Sequence, residues 1–164
     1  MRKGTALFLL TALAALCLVV NSCKKDNSGT VENLLARGTW QLASVTRFNY
    51  IGGTNVSTDT LNTKCGLTQS FTFVNDNTCT FRNFSCIEQS ATGQWQLSED
   101  KLTLISSLSC KDTLAGANVT AKPFVNARIV NLGQYSLIIE TGDLSSYYLS
   151  TDKRHIKRYG FVRF

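Results

Sequence analysis

Leu67-Thr68-Gln69-Ser70-Phe71-Thr72-Phe73-Val74, then Asn75-Asp76-Asn77-Thr78, then Cys79-Thr80-Phe81-Arg82-Asn83-Phe84 is the stretch whose reading decides the fold. Apolar and polar residues alternate on both sides of a polar turn, with the period of two that sends successive side chains to opposite faces of a strand. Asn75, Asp76 and Asn77 suit the turn because their short side chains bond to nearby backbone and tolerate left-handed conformations. The stretch therefore predicts an antiparallel hairpin with Phe71, Phe73, Cys79 and Phe81 on its buried face.

The same pattern continues in both directions. Residues 38–50 put Trp40, Leu42, Phe48 and Tyr50 on one parity and Gln41, Arg47 and Asn49 on the other, as in a strand with one wet face. Gly52-Gly53-Thr54-Asn55 turns the chain, and the polar segment that follows to Lys64 reads as a loop or a weak edge strand. Residues 92–97 and 101–105 form a second hairpin around Ser98-Glu99-Asp100, and residues 124–132 and 135–140 a third around Gly133-Gln134. Residues 147–150 and 156–164 complete the series. Only residues 31–37 have helical spacing, enough for a turn or two, and residues 111–122 have no clear period. The expected fold is all-β, an antiparallel up-and-down β-barrel of about eight to ten strands, because closure hides the sheet edges.

A chain of 164 residues has room for one such domain. With 43% hydrophobic residues, 17% charged and a single proline, disorder, collagen and coiled coil are excluded as its dominant state. Ahead of the domain, Arg2 and Lys3 precede an apolar run over residues 6–20, too short for a comfortable membrane span but right for an export signal. Val20-Asn21-Ser22-Cys23 then resembles the lipobox of bacterial lipoproteins, which implies cleavage before Cys23 and acylation of it; Cys17 is a poorer candidate because bulky Leu16 precedes it. More than one acyl chain gives a stable anchor. The expected organisation is a signal peptide over 1–22, a lipidated cysteine and flexible tether over 23–36, and the barrel over 37–164. Lys24 stands where an inner-membrane retention signal has Asp, so the implied address is the outer membrane, in its periplasmic or surface-facing leaflet.

Loss of Arg2 and Lys3 with the signal leaves 15 of 17 basic residues against 11 acidic ones, so the formal charge of +6 becomes about +4. The excess gathers in Lys153, Arg154, His155, Lys157, Arg158 and Arg163, interleaved with apolar residues, and reads as a solvated strand with no nucleic acid as partner. Four cysteines remain for the domain: Cys65, Cys79, Cys86 and Cys110. In an oxidising compartment an even number suggests two disulfides with three possible connectivities. Counting back from the hairpin turn places Cys65 opposite Cys86, which leaves Cys79 for Cys110. One histidine and no Cys-x-x-Cys argue against a zinc site, and no nucleophile elbow, phosphate loop or calcium loop occurs, so neither cofactor nor enzymatic activity is expected.

Gly38-Thr39-Trp40-Gln41-Leu42 opening a meander, the run from Phe71 to Phe81, and Gly93-Gln94-Trp95-Gln96-Leu97-Ser98-Glu99-Asp100-Lys101-Leu102-Thr103-Leu104 are together similar to the lipocalin-like lipoproteins of diderm bacteria. The pair Arg128-Ile129-Val130-Asn131-Leu132 and Tyr135-Ser136-Leu137-Ile138-Ile139 extends the resemblance over most of residues 37–164. It implies a lipocalin-like barrel whose first Trp packs across a closed end, often under a late arginine, for which Arg154 or Arg158 is available. It also implies a small, mostly apolar ligand, for which Trp40, Phe48, Phe71, Phe73, Phe81 and Trp95 are the candidate contacts. The same aromatics suit a filled barrel, and then the protein is an interaction protein, an inhibitor or an accessory subunit of an envelope complex, that uses segments such as 52–66 or 111–122. A third expectation is a surface glycan binder with Tyr147 and Tyr148 as its platform.

Overall fold

Thirteen consecutive residues of one strand organise the barrel, because both ends of the sheet meet on it. In the computed structural model, which describes residues 28–62, 64–112 and 119–164, this strand is β1 (Thr39–Ile51). From it the chain runs through β3 (Ser70–Phe73), β4 (Thr78–Arg82), β5 (Ser90–Leu97), β6 (Thr103–Ser106), β9 (Ala127–Leu132), β10 (Ser136–Gly142) and β11 (Lys153–Val162), each antiparallel to the last. β11 pairs back onto β1 from Gln41↔Val162 to Ile51↔Lys153 and closes an eight-stranded barrel. The expected up-and-down β-barrel is therefore formed, with two additions. β2 (Thr54–Leu61), in the segment read as a loop or weak edge strand, pairs only with β1, and β7 (Cys110–Asp112) and β8 (Val119–Ala121) form a separate hairpin. The leader, Cys23 and residues 24–27 lie outside the described residues, and with them the expected signal peptide and lipidation.

The helix α1 (Ser28–Ala36) occupies the rest of the segment expected to be tether. Its Leu35 is fully buried, the Trp40 indole donates to the Leu35 carbonyl at 2.9 Å, and Lys101 Nζ meets Glu32 Oε1 at 2.7 Å. The helix thus plugs one end of the barrel. Arg163 lies over the Trp40 ring at 4.1 Å, so the late arginine is neither Arg154 nor Arg158. Its guanidinium donates from Nη1 to the Leu34 carbonyl at 2.8 Å and from Nε to the Gln134 carbonyl at 3.0 Å.

Inside, the lumen is packed with aromatic rings. Phe71 lies 4.1 Å from Phe73 and 5.2 Å from Phe81 between ring centroids, and Phe73 meets Trp95 edge-on at 5.3 Å. Phe124, from the turn before β9, fills the middle: it stacks on Phe71 at 5.0 Å and on Phe81 at 5.6 Å and meets Tyr159 at 5.2 Å. Each such pair adds about 0.5–1.5 kcal/mol beyond its buried area. Residues 147–150 are not a strand but part of the connection between β10 and β11. No helix among the described residues is long and apolar enough to cross a membrane.

Candidate functional site

β1 is longer than any one neighbour can cover, and the site arises where it changes partner. Thr39 to Gln41 pair with β3, and the Leu42 amide donates to the Gln69 carbonyl at 2.8 Å. From Val45 onward the partner on that side is β2. The chain returning from β2 to β3 spans this fork and leaves a cleft of about 430 Å³ between Leu42, Val45, Leu61, Leu67 and Gln69. A chamber of about 110 Å³ shares Val45, Leu61 and Gln69 with it and reaches inward to Phe84, Lys157 and Tyr159.

A register shift between Leu42 and Ser44 decides which side chains face the chamber. A bulge inserts one extra residue and so reverses the parity beyond it. Val45 and Tyr159 face inward as partners, followed outward along the same face by Arg47 opposite Lys157 and Asn49 opposite His155. Phe48, expected among the inward aromatics, is consequently on the outer face, with the Arg158 guanidinium 4.8 Å above its ring. Beside it Arg158 and Arg128 both bond to Glu140, at 2.6 and 2.5 Å. Burial pushes the Glu140 carboxyl up, but hydrogen bonds from the two arginines outweigh it and hold the group below the usual carboxylate range. Tyr148 has one face covered by Arg154 at 3.7 Å, while Tyr147 is 92% exposed.

The five other candidate contacts, Trp40, Phe71, Phe73, Phe81 and Trp95, are all core residues, at most 3% exposed. The fork is lined instead by residues from β1, β2, β11 and the connections at this end, which alternation alone does not bring together. The missing signal lay in the length of β1, since a strand of that length next to a short β3 leaves a surplus to be paired elsewhere.

One wall of the fork is tied by the Cys65–Cys86 disulfide, with its Cα atoms 5.6 Å apart, as the count from the hairpin turn expected. Asn83, Ser85 and Cys86 there have left-handed φ of 58°, 53° and 60°, a strained conformation for residues with a Cβ. The turn is held by the disulfide, by Asn83 Nδ2 bonding to the Thr68 carbonyl at 2.8 Å and by Ser85 Oγ bonding to Asp112 at 2.9 Å. The second expected bridge is not formed. Cys79 faces the core from β4, with its Sγ 3.4 Å from Ser106 Oγ, while Cys110 enters from the β7–β8 hairpin, whose register is not tied to the barrel sheet. Burial raises both thiols, Cys110 to about 12 with help from the Asp112 carboxylate and Cys79, so neither is nucleophilic near neutrality.

At the mouth, Arg47 donates to Asp59 Oδ2 from Nη2 at 2.8 Å and from Nε at 3.1 Å, and Asn49 Nδ2 joins at 3.0 Å. The Arg47 and Asn49 bonds hold the Asp59 carboxyl below its ordinary range. His155 Nδ1 is 2.8 Å from Asn49 Oδ1; the amide oxygen only accepts, so the ring nitrogen donates. Burial pushes the Tyr159 phenol upward, so it stays a neutral hydroxyl. Deepest in the fork, Gln69 is 5% exposed; its Nε2 has only the Cys65 sulfur at 3.4 Å, and its Oε1 has no partner.

Residues 37–121, more than half of the chain, match the family described as a lipocalin-like domain. The chain belongs to that family. Lipocalin-like barrels typically bind or carry small molecules without catalysing their conversion. The matched region covers β1 to β8 and so contains most of the fork, while β9 to β11, with Lys157 and Tyr159, lie beyond it. A comparison with curated proteins gives no match. In this lipocalin-like domain no group of three or more His, Cys, Asp or Glu able to hold a metal ion occurs among the described residues.

Proposed function

We propose that this protein is a lipid-anchored lipocalin-like binder of the cell envelope that takes a small, largely apolar molecule, without chemistry, in the fork between β1 and β3 rather than along the barrel axis. The observation that carries the reading is Gln69. A buried amide with one polar atom unpartnered and the other facing a weak sulfur acceptor costs stability, and it lines both the cleft and the chamber, where a bound molecule satisfies it. Leu42, Val45, Leu61 and Leu67 give the cleft apolar surface beside polar walls from Gln41, Ser44, Thr60, Asn62 and Thr68, and the cleft lies within the usual size range of about 300–1,000 Å³.

Anchor and ligand are read together by native mass spectrometry of the mature protein extracted from envelope membranes in mild detergent. The expected spectrum has acyl mass on Cys23 and a further discrete mass that organic solvent strips off. Unmodified Cys23 overturns the anchor, and repeatedly bare protein overturns the carrier. Bare protein would favour a second reading, an interaction protein with a filled barrel, which the packed Phe71–Phe81–Phe124 lumen and the free edge of β2 support.

A further inference from the structure

β2 stands outside the closed barrel. It pairs with β1 alone, so one edge of its backbone faces solvent, while every other strand of the barrel sheet has a neighbour on each side. Natural edge strands are commonly blunted by lysine, proline or extreme shortness. Thr54–Leu61 runs for eight residues with none of these. Its single charge, Asp59, is bound by Arg47 and Asn49 of β1. Thr54, Val56, Thr58 and Thr60 are strand-forming residues left exposed. Val56 bulges out of the ladder, so the straight edge on offer is Ser57–Leu61. The loop after β10 leans on the turn that leads into this strand. Gly52 N–H donates to the Asp152 carbonyl at 2.8 Å, and a Cβ at Gly53 would come within 3.3 Å of the Tyr148 hydroxyl. The loop backbone is pinned, with Leu149 N–H on Asp152 Oδ2 at 2.7 Å, Tyr147 N–H on Ser145 Oγ at 3.2 Å and Asp143 N–H on the His155 carbonyl at 3.0 Å. Yet it turns Tyr147 and Leu149 out into solvent. Apolar side chains held in water by a fixed backbone are preformed anchors, because docking them costs little further ordering.

We propose that this rim docks a partner protein, which lays an extended, uncharged segment along the free edge of β2 beside Ser57–Leu61 and covers Tyr147 and Leu149. The docking holds whether or not the fork takes a small molecule. Main-chain pairing supplies the affinity of such strand addition, and alternate side chains supply its selectivity. An uncharged segment is the match, because the edge offers hydroxyls and a carboxylate already bound. A second copy of this chain is the poorer occupant, an argument that rests on the lipid-anchored reading above. A two-fold axis pairs two β2 edges antiparallel and so turns one barrel end for end. Cys23 lies only a few residues before the helix that plugs the closed end, so two copies anchored in one membrane share one orientation. The open rim then points away from that membrane, towards other proteins of the envelope.

The test places a photoreactive phenylalanine analogue at Thr58, Thr60 or Tyr147, one position at a time, in the full chain in its own envelope. Residues 58 and 60 share one face of β2, so their neighbours in an added strand are also two residues apart. The expected products join 58 and 60 to residues two apart in one segment of another protein, and join 147 to that same protein. Thr60→Lys is an exposed change that should leave the urea midpoint where it is, but it blunts the edge and should suppress the product from 58. Linkage to a second copy, or to residues 113–118 of this chain, overturns the partner protein. Products without the two-residue offset, or a product from 58 whose yield Thr60→Lys does not change, overturn strand addition. Absence of any product from 58 and 60 overturns the docking surface, and absence from 147 alone overturns the part given to Tyr147 and Leu149. Acyl mass on Cys23 is read separately, so the expected products on a chain with unmodified Cys23 overturn the anchor and leave the docking surface standing.

Discussion

Arg163 and Lys157 point to the same side of the last strand, at opposite ends of the barrel, and their surroundings differ in kind. At the closed end Arg163 is 9% exposed, stacks on Trp40 and gives its hydrogens to the Leu34 and Gln134 carbonyls. At the open end Lys157 faces Arg47 with no carboxylate within ion-pair distance among the described residues, and Gln69 is buried with an unpartnered oxygen. The arginine of the closed end has its hydrogens taken up and the glutamine of the open end has no partner for its oxygen, although Glu32 Oε2 on the plugging helix is also buried without a partner. Local rules are usually broken at sites of function, and the rest of the fold supplies the stability that allows it. The packed lumen and the helix-plugged end supply it here, and the fork is where it is given up.

The comparison breaks most visibly if the closed end is not the anchor. Trp40→Ala removes a fully buried ring, its bond to Leu35 and the surface on which Arg163 rests. A loss of about 3–5 kcal/mol is expected, as for other large-to-small changes in a core, read as a lower urea midpoint. A loss under about 1 kcal/mol would mean that the plug contributes little.

At the other end, the corresponding element is the disulfide. Cys65 and Cys86 close a loop with a sequence separation of 21, for which the chain-entropy account gives about 3 kcal/mol. Beyond that global cost, reduction frees a turn in which Asn83, Ser85 and Cys86 are held at left-handed φ. Hydrogen exchange on the reduced protein should therefore accelerate at residues 65–69 and 83–87 before it does near Trp40. Simultaneous loss of protection at both ends would show that the two ends are one cooperative unit and that the contrast between them is only geometric.

What the sequence made legible follows the same division. Alternation in the hairpin over residues 67–84 located the core, because inward Phe71, Phe73 and Phe81 obey a local period. The fork was hidden because it depends on non-local events. A bulge near Ala43, with no glycine or proline to mark it, carried Phe48 to the outer face, and β2 took up the part of β1 that β3 leaves uncovered. The arginine over Trp40 was expected from Arg154 or Arg158, but the ladder brings Arg163 to that end. Cysteine counting succeeded where the register of a predicted hairpin constrained the pair, at Cys65 and Cys86. It failed at Cys79 and Cys110, where one partner belongs to a separate two-stranded sheet.

The smallest expected effect is the sharpest, because its sign differs from that of ordinary core substitutions. Gln69→Leu replaces a buried amide with an apolar side chain of similar size, and the amide gives up only a long contact to a disulfide sulfur. If the open end carries a polar group for its ligand and not for its own folding, the ligand-free protein should gain about 1 kcal/mol, the lower part of the range for an unsatisfied buried polar atom. The urea midpoint should rise while affinity falls for an apolar probe with a hydroxyl that can donate to Gln69 Oε1, such as 4-phenylbutanol. A loss of stability would mean that Gln69 is satisfied in the folded protein, and the contrast between the two ends would then rest on Lys157 alone. The same substitution at a satisfied site is destabilising, so the direction of the shift, more than its size, separates a group kept for binding from one kept for packing.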